Sequence, residues 1–201
     1  MIIKEKSIKS YIALERTLRY ILLKDSQGKE SFVFKRFIKG DRGFETQLEN
    51  VKGDTEATSI VMENRLLNMQ KQFRENDEQR LRKRKRETKF YHCILSFSKL
   101  DSLSSEELRM VAKTYAKMRF PKSIVVATNH VNTGHQHVHL IGSNVEYGIH
   151  TTRYLTKTEF KNIKSKMEQW QEKVLKLEHS RVDHLKKKIP PFLRMQNTNS
   201  I

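Results

Sequence analysis

The sequence predicts an α+β fold. Stretches with the period-2 alternation or β-branched content of strands stand among amphipathic stretches with helical spacing. Two of the helical stretches open on capping boxes, and two strand-like stretches flank turn chemistry and read as an antiparallel hairpin. The chain has 201 residues, enough for one domain with a sizeable core. Residues 1–185 read as that domain, with a basic helical insertion at 54–88, and residues 186–201, with Pro190-Pro191, read as a polar tail.

Residues 8–24 are expected to be helical, because Tyr11, Leu14, Leu18 and Ile21 recur at helical spacing and Tyr20 sits beside that stripe. Asp25-Ser26-Gln27-Gly28 reads as a turn, and Ser31 to Ile38, rich in Phe and Val, as a strand that Gly40-Asp41-Arg42-Gly43 ends. From Glu56 to Gln79 a very polar helix is expected, with Ile60, Met62, Leu66, Leu67 and Met69 as its modest apolar side. Phe90 to Phe97 is a strand with Tyr91, Cys93, Leu95 and Phe97 on one face and His92, Ile94 and Ser96 on the other. Ser104-Ser105-Glu106-Glu107 caps a helix whose buried stripe is Leu108, Val111, Ala112, Tyr115 and Met118, and which stops before Pro121. Ser123 to Thr128 and Gln136 to Val145 form the hairpin around Asn132-Thr133-Gly134. Thr156-Lys157-Thr158-Glu159 caps a C-terminal helix carrying Phe160, Ile163, Met167, Trp170 and Val174.

Composition restricts the partner. Forty Lys and Arg against 23 Asp and Glu give a formal charge of +17, which calls for a polyanion. The run Arg80-Leu81-Arg82-Lys83-Arg84-Lys85-Arg86 has six basic residues of seven. Such a run is usually solvated, and Arg82, Lys83, Arg84, Lys85 and Arg86 are candidate phosphate contacts. A single cysteine, Cys93, excludes a disulfide framework and a multi-cysteine zinc site and fits a reducing compartment. No apolar run approaches the ~20 residues of a bilayer span, and the start lacks a signal-peptide core, so a cytoplasmic location without membrane insertion is expected.

Four of the eight histidines fall within ten residues: His130, His135, His137 and His139. On a strand, His137 and His139 share a face, and a hairpin turning through 131–136 brings His130 opposite His137. Three imidazoles on one face are a set of metal ligands that leaves coordination positions open, as a catalytic ion needs. His135, in the turn, and Asn132 are candidates for the surrounding shell. No paired carboxylates accompany the histidines, which disfavours a two-metal nuclease. With a basic protein, a single ion points to phosphodiester chemistry with water or a side chain as nucleophile, and a tyrosine hydroxyl near a cation is competent.

His130-Val-Asn-Thr-Gly-His135-Gln-His137-Val-His139, followed by Leu-Ile-Gly-Ser-Asn144, resembles the third motif of conjugative relaxases, the mobilization nucleases of the His-hydrophobic-His endonuclease superfamily. Phe90 to Ser98 with Asp101 resembles their second motif, a strand ending in Ser-Phe, and Arg19-Tyr20-Ile21-Leu22 resembles the first, which carries the nucleophilic tyrosine. The resemblance covers roughly residues 1–145 in three islands. It implies a central antiparallel sheet of palm type flanked by helices, with the tyrosine helix over the histidine face. It implies that Tyr20 attacks the scissile phosphate at a plasmid or mobile-element transfer origin and forms a 5′-phosphotyrosine. It further implies that His130, His137 and His139 bind a divalent ion, Mg²⁺ or Mn²⁺, and that Ser96 lies near the bound strand. The partners implied are single-stranded or supercoiled origin DNA, accessory mobilization proteins and a coupling protein. Family members often carry an acid two residues after the first histidine; here Asn132 stands there, and an amide cannot take a proton. His92 and Asp101 are the substitutes for activating the tyrosine. Two other readings remain: a replication initiator or transposase of the same superfamily using Tyr147 or Tyr154, and a non-catalytic basic DNA-binding accessory protein.

Overall fold

The computed structural model describes residues 1–23, 32–40, 43–130 and 135–182. Its centre is a five-stranded, wholly antiparallel sheet. The strands are β1 (Ile2–Ile8), β2 (Val33–Arg36), β3 (Phe90–Ser96), β4 (Ser123–His130) and β5 (His137–Glu146), in the spatial order β1-β3-β5-β4-β2. The helices are α1 (Tyr11–Leu23), α2 (Phe44–Asn50), α3 (Thr55–Glu78), α4 (Ser105–Arg119) and α5 (Lys157–Val174).

Side-chain alternation divides the core between the two faces of the sheet. Ile8, Phe90, Ile124, Val126 and Ile141 point toward Leu14, Leu18, Ile21 and Leu22 of α1 and Leu66, Met69 and Phe73 of α3. Cys93, Leu95, Val125, Ala127, Val138 and Leu140 point the other way, into Leu108, Val111, Ala112 and Tyr115 of α4 and Ile163 and Met167 of α5. Each such large apolar side chain contributes roughly 1.5–3 kcal/mol by leaving water. The result is an α+β domain with helices on both faces of an antiparallel sheet, as expected. Both capping boxes are formed, Ser104 with Glu107 and Thr156 with Glu159.

Several local expectations are corrected. Residues 2–8 form β1, so the first helix does not start at residue 8. Ser10 accepts from the Ala13 N–H, and the helix begins at Tyr11. The strand is hard to see because Lys4, Glu5 and Lys6 interrupt its apolar alternation, which an edge strand with an open face tolerates. The seven-residue α2 has no periodic signal and follows Gly43, whose φ of 81° suits glycine. On α3, Ile60 and Leu67 are exposed, and the buried positions are Leu66, Met69 and Phe73. On α5, Val174 is exposed, while Gln171 is buried and accepts from the Met1 amino group at 2.9 Å. The expected turn at Asp25–Gly28, the turn residues Asn132, Thr133 and Gly134, and the tail 186–201 lie outside the described residues.

Candidate active site

The β4–β5 hairpin pairs His130 with His137 and Thr128 with His139, so all three histidines stand on the α1 face of the sheet. Their ring centroids lie 4.5–5.5 Å apart. One ligand nitrogen from each falls within 4.8 Å of the others, a spacing that one ion can bridge. β3 adds His92, next to Ile141 of β5, on the same face.

Each ring is oriented through one nitrogen. His130 donates Nε2–H to the Ile21 carbonyl at 3.1 Å, because a carbonyl can only accept. His137 donates Nδ1–H to the His135 carbonyl at 2.9 Å. His139 Nδ1 meets His92 Nε2 at 2.8 Å. These bonds leave the lone pair of His130 on Nδ1 and that of His137 on Nε2, the arrangement in which ligating histidines are held by a partner on the far nitrogen. His139 Nε2 is buried with no hydrogen-bond partner. A buried acceptor costs free energy unless something binds it, and an ion would satisfy it here. The donor set therefore fits a divalent metal.

Burial keeps the His139 and His92 rings neutral. It pushes His139 down to about 2, helped by the nearby His130, His92 and His137. It pushes His92 down to about 4, helped by Lys6 and His130. Neutral imidazole is the form that ligates.

Tyr20 enters from α1. Its ring centroid lies 5.4 Å from that of His130 and 5.6 Å from that of His139. It is 39% exposed, so the phenol is open to a ligand from solvent. The neighbouring residue, Ile21, supplies the carbonyl that holds His130, and α1 thus positions phenol and imidazole together. Tyr11, on the same helix, bonds Asp77 at 3.0 Å instead.

A family model for relaxases, described as the MobA/VirD2-like nuclease domain, matches residues 46–177. The chain belongs to this relaxase family. The match covers more than half of the chain and includes β3 and the histidine hairpin of the relaxase domain. The α1 segment with Tyr20 lies outside it and is joined to the histidines by geometry. No curated protein and no solved structure matches the chain.

The other expected residues are distributed as follows. Ser96 pairs with His137 across β3–β5 and lines a cavity of about 350 Å³ with Ile2, Lys4 and His135. His135 bonds the Phe97 carbonyl at 3.2 Å. Asp101 is buried and accepts from the His179 backbone N–H at 3.4 Å, so the structure does not bring it to Tyr20. Asn132 lies outside the described residues. Arg82, Lys83, Arg84, Lys85 and Arg86 are exposed just before β3, at the Phe90 end of the sheet. The histidines lie at the Ser96 end, six residues along β3 or roughly 20 Å away. Tyr147 and Tyr154 are also at the far end: Tyr147 stacks on Phe37, with centroids 5.0 Å apart, and Tyr154 follows Arg153, whose N–H bonds the Asn144 carbonyl.

Sequence reasoning missed two contributors. The Ile21 carbonyl carries no sequence signal. Lys6, opposite His92 on β1, was signalled only by the weak alternation of residues 2–8.

Proposed function

We propose that this relaxase domain nicks one DNA strand at a transfer origin by metal-assisted transesterification and so initiates mobilization. The Tyr20 oxygen attacks the scissile phosphorus and the bond to the 3′-oxygen breaks. A 5′-phosphotyrosyl link and a free 3′-hydroxyl result, and the reverse reaction rejoins the strand. His130, His137 and His139 hold a divalent ion, Mg²⁺ or Mn²⁺, which when bound supplies Lewis-acid polarisation of a phosphate oxygen. His92 orients His139, and Lys6 and Ser96 flank the path of the strand. Arg82, Lys83, Arg84, Lys85 and Arg86 contribute salt-sensitive phosphate contacts away from the nick. Accessory mobilization proteins and a coupling protein are the partners this function calls for, in the cytoplasm.

The observation that carries the reading is the meeting of a solvent-open phenol with three convergent imidazoles in a chain of this family. The test is incubation with Mn²⁺ or Mg²⁺ and single-stranded origin DNA, followed by mass-spectrometric location of the adduct. The adduct is expected on Tyr20 and is expected to vanish with EDTA. An adduct on Tyr147 or Tyr154 would replace the nucleophile. Binding without any adduct would favour the non-catalytic accessory protein.

A further inference from the structure

A second cleft lies at the end of the sheet remote from the histidines. It encloses about 560 Å³ between the C-terminal half of α3, the segment after β2 and the turn after β5. That volume is in the range of small-ligand sites. Its walls include Lys39, Lys71, Gln79, Tyr147 and His150.

The cleft is built under strain. Phe37 and His150 hold φ at 57° and 62°, and both are residues for which the left-handed region costs free energy. The strained backbone is clamped. Gln72 accepts from the Lys39 N–H and, with Asn68, donates to the Lys39 carbonyl. The His150 N–H bonds the Glu146 carbonyl, and the His150 carbonyl accepts from Leu81. The Phe37 and Tyr147 rings form a parallel stack, 5.0 Å apart and tilted by 8°, with both residues exposed. His150 Nδ1 is buried there with no hydrogen-bond partner.

Lys71 pairs with Glu75 of the same wall at 3.8 Å, so an exposed aromatic face, an unmet imidazole nitrogen and the Lys39 ammonium match a nucleotide: ring for base, nitrogen for base edge, ammonium for phosphate. The Leu81–His150 bond also ties the Arg82–Arg86 segment to the same wall, which supplies charge for the flanking phosphates. We propose that this cleft holds an unpaired nucleotide of the DNA strand roughly 20 Å from the histidine cluster, with the base stacked on Tyr147. The proposal rests on the reading of the chain as a DNA-nicking enzyme.

The test uses the full chain and iodouracil-substituted single strands of two lengths, one long enough to span the two ends of the sheet and one too short. Photo-cross-linking of the long strand is expected to label Phe37 or Tyr147. Tyr147→Ala is expected to lower long-strand affinity by about tenfold and to shrink its advantage over the short strand, while Tyr147→Phe restores both. Labels confined to other residues, or an unchanged long-to-short ratio in Tyr147→Ala, would overturn the proposal. Deoxyadenosine monophosphate is titrated alongside; tighter binding of this free nucleotide than of the long strand would assign the cleft to a soluble nucleotide and likewise overturn it. Wild-type nicking is followed in the same samples. Its absence counts against the tyrosine chemistry, whereas the cross-link map judges the cleft.

Discussion

The Tyr20 ring stands edge-on to the His139 ring, with centroids 5.6 Å apart and planes at 88°. His139 is in turn fixed by His92, so a line of support runs from β3 through β5 to the phenol on α1. Packing thus sets the phenol beside the imidazoles, which is where the proposed attack on phosphorus needs it.

Tyr20→Phe keeps both ring contacts and loses only the hydroxyl. Folding and metal affinity are expected to hold while nicking falls by roughly 10³-fold or more. Tyr11→Phe is expected to lose its bond to Asp77, at about 1 kcal/mol, and to keep the covalent adduct. Denaturing gels and melting curves read both variants. An adduct surviving in Tyr20→Phe would remove Tyr20 from the role.

His92→Phe removes the partner of His139 Nδ1 and keeps a ring of similar size. Metal affinity measured by calorimetry is expected to drop by about 10–100-fold. His135→Ala is expected to leave it near wild type, because His137 uses the main-chain carbonyl of residue 135. Equal losses in the two variants would contradict this account of the shell.

Stability without metal should fall in acid for a reason located at these rings. Unfolded imidazoles take a proton near 6.5, whereas burial holds His92 to about 4 and His139 to about 2. Below pH 6.5 the unfolded chain therefore binds more protons, so stability present above that pH is lost as the pH falls toward 4, and further for His139. The melting temperature of His92→Phe should depend less steeply on pH over this window. An identical slope in wild type and variant would exclude His92 as a source.

Gly142 leaves room for the buried Phe120 ring. A Cβ there would stand 2.6 Å from the ring carbons, and both residues are enclosed. Gly142→Ala is expected to cost about 1–3 kcal/mol in denaturant unfolding. A neutral result would mean that the α4 end shifts freely.

Asp77 holds Arg80 at 2.5 Å and Lys89 at 2.6 Å in a nearly dry corner. Asp77→Ala is expected to destabilise by about 3 kcal/mol, because it takes the nearest carboxylate from the buried guanidinium and leaves only the more distant Glu87 to balance it. Lys83→Gln with Lys85→Gln, both exposed, should leave stability alone and lower the salt slope of DNA binding by nearly one per residue.

The hairpin register, the convergence of its imidazoles and the two capping boxes were legible because strand and helix periods dictate them locally. The pairing of His130 with His137 follows from face and turn length alone. Position along the sheet was not legible. The Arg82–Arg86 run and Tyr147 look close to the site in sequence, yet β3 and β5 carry them to the other end, since a strand spends about 3.3 Å on each residue. Nor was the dual nature of the basic run visible. Arg80 is a buried anchor, while its neighbours face solvent. Burial there depends on Asp77 and Glu87 meeting it from outside the run.

The Ile21–His130 bond spans 109 residues of sequence. During synthesis the phenol emerges early, and the ribbon that completes the pocket emerges much later. A nascent or prematurely ended chain stopping before β5 thus carries α1 and Tyr20 without the imidazoles of His137 and His139. The pocket around Tyr20 is therefore completed only once β5 has joined the sheet.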